Sequence, residues 1–129
     1  MSTWYLDTPA ALKLILEEAE SAALIEAINA ERPTLAASYL LETELRRAAQ
    51  RSPSIGQARV TDLLDRVDLY EIGPATFRHA GLLPGAQLRS LDAVHLASAI
   101  SIGSDEIATY DLRMAQAAVE LGLLAIAPS

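Results

Sequence analysis

The chain has 129 residues, 10 Lys and Arg against 17 Asp and Glu, a formal net charge of −7 and no cysteine, which fits one compact domain spanning 1-129 and excludes a disulfide framework or a thiolate zinc site. With only two histidines, any metal must sit on oxygen, and the acidic excess argues against holding nucleic acid through a broad positive surface. No apolar run approaches the ~20 residues of a membrane span, and Met1-Ser2-Thr3-Trp4 lacks the basic start of a signal peptide, so a soluble cytoplasmic protein is expected.

Leu and Ala supply about a third of the residues, which favours helix. Thr3-Trp4-Tyr5-Leu6 reads as a strand ending at Asp7, after which Pro9 opens a helix. Helical spacing of Leu12, Ile15 and Leu16 carries that helix from Ala10 to about Glu18, and Leu24, Ile25 and Ile28 mark a second near Ser21 to Ala30. After Pro33, Thr34 to Ala37 is a short buried strand, with Ser38 as the cap of a helix running from Tyr39 to Gln50. Ser52-Pro53-Ser54 and Gly56 form a loop, and Val60, Leu63, Leu64 and Val67 indicate another helix. Asp68 to Ile72 alternates as an edge strand does. A helix from Ala75 to Leu83 follows, then one capped by Ser90 and ended by Gly103 after Ile102. Ile107 to Tyr110 is the next strand, Asp111 to Leu121 the last long helix, and Leu123 to Ala127 a closing strand. Alternating strands and helices predict an α/β fold with a parallel sheet covered on both faces.

In such a sheet ligands bind at the carboxyl ends of the strands. Asp7 follows the first strand and Asp111 the fourth; Asp92 lies in the first turn of the helix after Ser90, and Glu44 within two turns of the helix after Ser38. Four carboxylates brought together repel, each pair by about 4 kcal/mol at ~4 Å and an effective dielectric of ~20, so the cluster needs a cation or a proton. Oxygen ligands alone favour Mg²⁺ or Mn²⁺. Taken singly, Asp92 and Asp111 could instead complement helix dipoles, and Glu44 could pair with Arg47 while Glu42 pairs with Arg46. Asp7 is the strongest candidate, because an aspartate ending a buried strand needs a partner. His95, amid Val94, Leu96 and Ala97, reads as a core or supporting imidazole rather than a ligand. His79 and the run Asp62, Asp65 and Asp68 read as solvated surface.

Tyr5-Leu6-Asp7-Thr8, Thr43-Glu44-Leu45 with Arg47, Leu91-Asp92-Ala93-Val94-His95-Leu96-Ala97, and Thr109-Tyr110-Asp111 with Arg113 together resemble the PIN domain, and more narrowly a VapC-type toxin. The resemblance implies a three-layer α/β/α sandwich and a Mg²⁺- or Mn²⁺-dependent endoribonuclease, usually homodimeric and neutralised by a VapB-like antitoxin. It assigns Asp7, Glu44, Asp92 and Asp111 as the catalytic, metal-binding acidic quartet, with Thr109 as the accompanying hydroxyl residue. Family members commonly carry serine two positions after the first aspartate. Here that position is Pro9, and Thr8 is the nearest replacement hydroxyl. RNA contacts are expected from Arg46, Arg47, Arg89, Arg113 and Lys13. Two other readings stand beside the nuclease: a non-catalytic PIN-like interaction module, and a phospho-acceptor signalling receiver, which normally has an acidic pair near the first strand and a lysine near the last.

Overall fold

Five short strands form one parallel sheet in the computed structural model, which describes residues 1–129. In chain order the elements are β1 (Thr3–Leu6), α1 (Thr8–Lys13), α2 (Ser21–Glu31), β2 (Thr34–Ser38), α3 (Leu40–Arg51), α4 (Gln57–Leu64), β3 (Asp68–Tyr70), α5 (Pro74–Leu82), α6 (Ser90–Ile102), β4 (Glu106–Ala108), α7 (Leu112–Glu120) and β5 (Leu124–Ile126). The strand order is β3-β2-β1-β4-β5. Every pairing is parallel, so each connection must cross over the sheet, and the helices that do so flank it in a three-layer α/β/α arrangement. No helix is long and apolar enough to cross a membrane.

β1 is the centre of this sheet, and its residues show it. Trp4, Tyr5 and Leu6 are all buried, as a central strand covered on both faces requires. The edge strands β3 and β5 are short and partly exposed. The main core joins β1 and β4 to the inner faces of α1, α3, α4, α6 and α7 through Leu6, Leu41, Leu45, Leu96, Ile107 and Met114. α3 follows the predicted spacing, with Leu41, Leu45 and Ala48 buried.

Four details differ from the sequence reading. α1 ends at Lys13 rather than continuing to Glu18; Lys13 instead pairs with Glu18 and Glu20 across the following bend, and Ser21 Oγ braces that bend by accepting from the Glu18 N–H and donating to the Leu16 carbonyl. Ser38 does not cap α3. It stays in β2, paired in register with Tyr70, and its hydroxyl faces Tyr5. Ser90 is the first helical residue of α6 rather than its cap, a position held by Arg89 without a side-chain hydrogen bond. β4 ends at Ala108, so Thr109 and Tyr110 lie beyond it. The predicted helix stop does hold: Gly103 takes φ 81° and its N–H reaches the Ala99 and Ile100 carbonyls.

Truncating the fully buried Leu45 to alanine is expected to cost about 2–5 kcal/mol. Gly103→Ala meets no neighbouring atom and should cost only the left-handed backbone penalty of ~1–2 kcal/mol. Denaturant midpoints of the two variants test the order; a Leu45→Ala protein as stable as wild type would contradict the described core.

Candidate active site

The adjacency of β1 and β4 brings the segments that follow them to one edge of the sheet. Asp7 continues β1 there, its N–H donating to the Ala108 carbonyl at 3.4 Å. Its side chain caps α1, Oδ1 accepting from the Ala10 N–H at 2.9 Å, and is only 2% exposed. Burial raises its pKa above the ordinary aspartate value, and the negative charge of Asp92 adds to that; the Thr109 hydroxyl, the Ala10 N–H and His95 act against it without cancelling it. Pro9, exposed at the start of α1, is tolerated where the helix needs no N–H.

Asp111 is the cap of α7, Oδ1 accepting from the N–H groups of Arg113 (2.8 Å) and Met114 (3.3 Å). Its own N–H donates to Thr109 Oγ1 at 3.2 Å, so the buried Thr109 stands beside both aspartates. Asp92 occupies the first turn of α6, half-buried. Its pKa is raised by burial first and by the charge of Asp111 next, with Glu44 contributing in the same direction against the opposing effects of His95 and Arg89. Thus the carboxylates of β1, α3, α6 and α7 feel one another across a single edge.

Glu44 has a different environment. Its Oε1 accepts from Thr8 Oγ1 at 2.7 Å and lies 2.5 Å from His95 Nε2. Burial by itself would raise its pKa, but the His95 and Thr8 hydrogen bonds and the His95 ring outweigh burial and hold it below the ordinary glutamate value. The local pairing with Arg47 does not form. His95 is 2% exposed and bonded on both ring nitrogens, the second to the buried Tyr5 hydroxyl at 2.7 Å. It is the supporting imidazole expected from its apolar neighbours. Tyr5 and Ser38, a strand residue and an expected helix cap by sequence, also belong to this network, which local pattern does not reveal. The available signal was that a buried tyrosine must find its hydroxyl a partner.

The basic candidates divide. Arg46 is committed to Glu42, Gln57 and Thr61, and Lys13 to Glu18, Glu20 and the face of Tyr110, 4.9 Å from its ring centre. Neither is free to meet a phosphate. Arg47, Arg89 and Arg113 are exposed, and Arg113 Nε stands 3.8 Å from Asp111 Oδ1.

No three Asp, Glu or His side chains converge closely enough to enclose one ion. The reason is visible in their present partners: Asp7 and Asp111 each turn an oxygen to a helix N-terminus, and Glu44 turns one to His95 and Thr8. The donor chemistry nevertheless fits a hard divalent cation. All the donors are oxygen, and burial and mutual repulsion raise the pKa values of Asp7 and Asp92, as at a site suited to positive charge.

The PIN domain family matches residues 4–120. Ribonuclease VapC35 of Mycobacterium tuberculosis (strain ATCC 25618 / H37Rv) is 40% identical over 130 residues, covering 96% of each chain. Ribonuclease VapC46 of the same strain is 37% identical over 131 residues, covering 100% of each. Among solved structures, VapBC2 from Rickettsia felis, crystallised with a DNA fragment from its promoter, superposes with a TM-score of 0.80 at 15% identity, over 98% of this chain and 99% of that one. Mycobacterium tuberculosis VapC20, a Sarcin-Ricin loop cleaving toxin, gives 0.73 at 16% identity, over 97% and 99%. The two structural likenesses speak to the fold; the family match and the two sequence relatives, each spanning nearly the whole chain, place this protein in the PIN domain family, among its VapC ribonucleases.

Proposed function

We propose that the chain is an endoribonuclease toxin that depends on Mg²⁺ or Mn²⁺ and is silenced by a VapB-like antitoxin. The observation that carries the metal-dependent reading is the electrostatic contact of Asp7, Asp92 and Asp111 at one sheet edge, where burial and like charge hold two of them in want of a cation. The likeness in fold to the VapBC2 structure supports the antitoxin, and kinship with named VapC ribonucleases supports the reaction. It leaves the signalling receiver without support, and retention of all four carboxylates argues against a module that has lost its chemistry.

In this reading Asp7, Asp92 and Asp111 hold the cation. When bound, the cation supplies positive charge that acidifies water and offsets the charge developing on the phosphoryl oxygens. Asp7 gives a rigid anchor, because it is buried and tied to α1. Asp92 makes no hydrogen bond and is free to turn toward a ligand. Glu44, kept ionised, orients the attacking water with its free oxygen; as the water oxygen attacks phosphorus the bond to the leaving ribose oxygen breaks, and the proton lost by the water balances the one that the ribose oxygen takes up. Arg47, Arg89 and Arg113 meet the RNA backbone. A homodimer is supported by the apolar groove of Tyr39, Phe77, Leu91 and Val94, three of whose members are large and exposed.

Asp7→Asn is expected to lower metal-dependent RNA cleavage at least about a hundredfold, and EDTA or an equimolar antitoxin should abolish it. Full activity in any of these three conditions counts against the assignment. Sedimentation should give twice the 13.8 kDa chain mass, reduced to the single mass by Phe77→Glu; a wild-type monomer at working concentration would remove the dimer.

The pH dependence has a definite sign. Asp7 and Asp92 have folded pKa values above their ordinary 3.8, so the metal-free folded chain binds more protons than the unfolded one and loses stability as pH rises from 3.8 through the raised values. Glu44 acts oppositely, its contribution being present above 4.5 and lost as pH falls through its lowered value. In EDTA the Asp7 and Asp92 contribution to the melting temperature should therefore fall as pH rises from 3.8, and Asp92→Asn should flatten that fall. Mn²⁺ at a hundred times its Kd should restore about 2.7 kcal/mol to the wild type. A wild-type fall no steeper than that of Asp92→Asn as pH rises from 3.8 contradicts the described burial.

A further inference from the structure

A chain of hydrogen bonds leads from the centre of the sheet to the active edge. Tyr5, fully buried on β1, places its hydroxyl 2.7 Å from His95 Nδ1 and 3.2 Å from Ser38 Oγ, and its oxygen receives the Ser38 N–H at 3.3 Å. His95, on α6, turns its other nitrogen to Glu44 Oε1 at 2.5 Å, and Thr8 at the start of α1 donates to that same oxygen at 2.7 Å. Two elements, α1 and α6, thus meet on one carboxylate oxygen of α3, whereas Oε2 of Glu44 has no hydrogen bond.

The partners dictate where the protons go. Ionised Glu44 can only accept, so His95 must carry a proton on Nε2. The Tyr5 oxygen already accepts from the Ser38 N–H, and its O–H stands within reach of two acceptors, Ser38 Oγ at 3.2 Å and His95 Nδ1 at 2.7 Å; turned to the nearer of them, it leaves Nδ1 as the accepting nitrogen. The ring edge is held at 68° to the Tyr5 plane, with centroids 5.6 Å apart, so packing and hydrogen bonding fix the same orientation. A half-turn of the ring would present carbon to both partners and forfeit both of its hydrogen bonds to them.

We infer that Tyr5 and His95 are positioning residues for the ribonuclease reaction: Tyr5 fixes the His95 tautomer with its proton on Nε2, and His95 with Thr8 claims Glu44 Oε1 so that Oε2 alone serves the substrate side. This assignment rests on the proposed nuclease activity for its consequence in catalysis, and on geometry alone for the proton positions. It assigns Glu44 a single working oxygen. Both hydrogen bonds to Oε1 are made before any substrate arrives, so the carboxylate need not be ordered during the reaction.

The test has two independent arms on the full chain. ¹⁵N spectra of the metal-free protein near neutral pH contain only His79 and His95, and His95→Gln identifies the second by its loss. The proton is expected on His95 Nε2, with Nδ1 unprotonated; a proton on Nδ1 overturns the relay. In the second arm, cleavage of RNA with Mn²⁺ is measured for His95→Leu, His95→Gln and Tyr5→Phe, each checked for folding by circular dichroism. His95→Leu should lose 10–100-fold in kcat with little change in KM. His95→Gln, which returns an N–H donor near the Nε2 position, should recover most of that loss, and Tyr5→Phe should lose kcat in the same sense. A folded His95→Leu with wild-type kcat overturns the positioning role, as does a Gln variant no better than Leu. If His95→Leu does not fold, the Tyr5→Phe and Thr8→Val rates decide: unchanged kcat in both overturns the role, and loss in both supports it. Absence of cleavage by the wild type would defeat the nuclease reading, while the ¹⁵N arm would still decide the proton positions.

Discussion

Burial of Asp7 is the constraint to which the rest of the site answers. A carboxylate at the end of the central strand, sealed from water, is costly unless it is protonated, hydrogen-bonded or met by a cation. The Ala10 N–H and the Thr109 hydroxyl satisfy part of this demand. They do not satisfy all of it, because the nearby charge of Asp92 works against ionisation. Asp92 in turn is disfavoured by Asp111. The parallel sheet creates this crowding directly, since all five strands point their carboxyl ends to one edge and β1 lies beside β4. The fold gathers four of the 17 carboxylates on this edge, so that part of the net charge of −7 is a local feature.

The contrast between Asp7 and Glu44 shows how one edge supports two kinds of carboxylate. Both are desolvated, yet they shift in opposite directions. The difference lies in the donors: Glu44 has an imidazole and a hydroxyl on one oxygen, while Asp7 has a backbone N–H, one hydroxyl and a repelling neighbour. A group kept ionised by its own protein partners does not need the metal for its charge. That favours orientation of water over coordination as its work, whereas Asp7 and Asp92 have the stronger electrostatic need for a cation.

Much of this was legible from sequence because it depends on local pattern. Strand-ending Asp7, helix-capping Asp111 and first-turn Asp92 are each set by the residues beside them, and a parallel sheet converts those local positions into proximity. Buried Leu41 and Leu45 likewise follow from helical spacing. The errors arose where a distant partner overrode a local preference. Ser38 has the chemistry of a helix cap, but the Tyr5 hydroxyl, 33 positions away, engages it within β2. Glu44 has Arg47 one turn along, but His95 and Thr8 reach it across the fold. The Glu42–Arg46 pair follows from its local spacing and forms, but the further bonds of Arg46 to α4 and the stacking of Lys13 on Tyr110 are not encoded in neighbouring residues.

The substitution at Pro9 gains a physical account from the same accounting of hydroxyls. A side-chain hydroxyl two positions after Asp7 is absent, and Thr8 does not simply replace it, since it donates to Glu44. Thr109 stands instead beside Asp7 and accepts the Asp111 N–H, from the segment just beyond β4. Pro9 meanwhile suits the first turn of α1, where Asp7 caps the Ala10 N–H and no donor is needed from the residue itself. Support is therefore divided between two threonines on different elements, one serving the aspartate pair and one the glutamate. Loss of a hydroxyl at position 9 leaves each of these carboxylates with a partner, which is why that departure from the family pattern is compatible with an intact acidic edge.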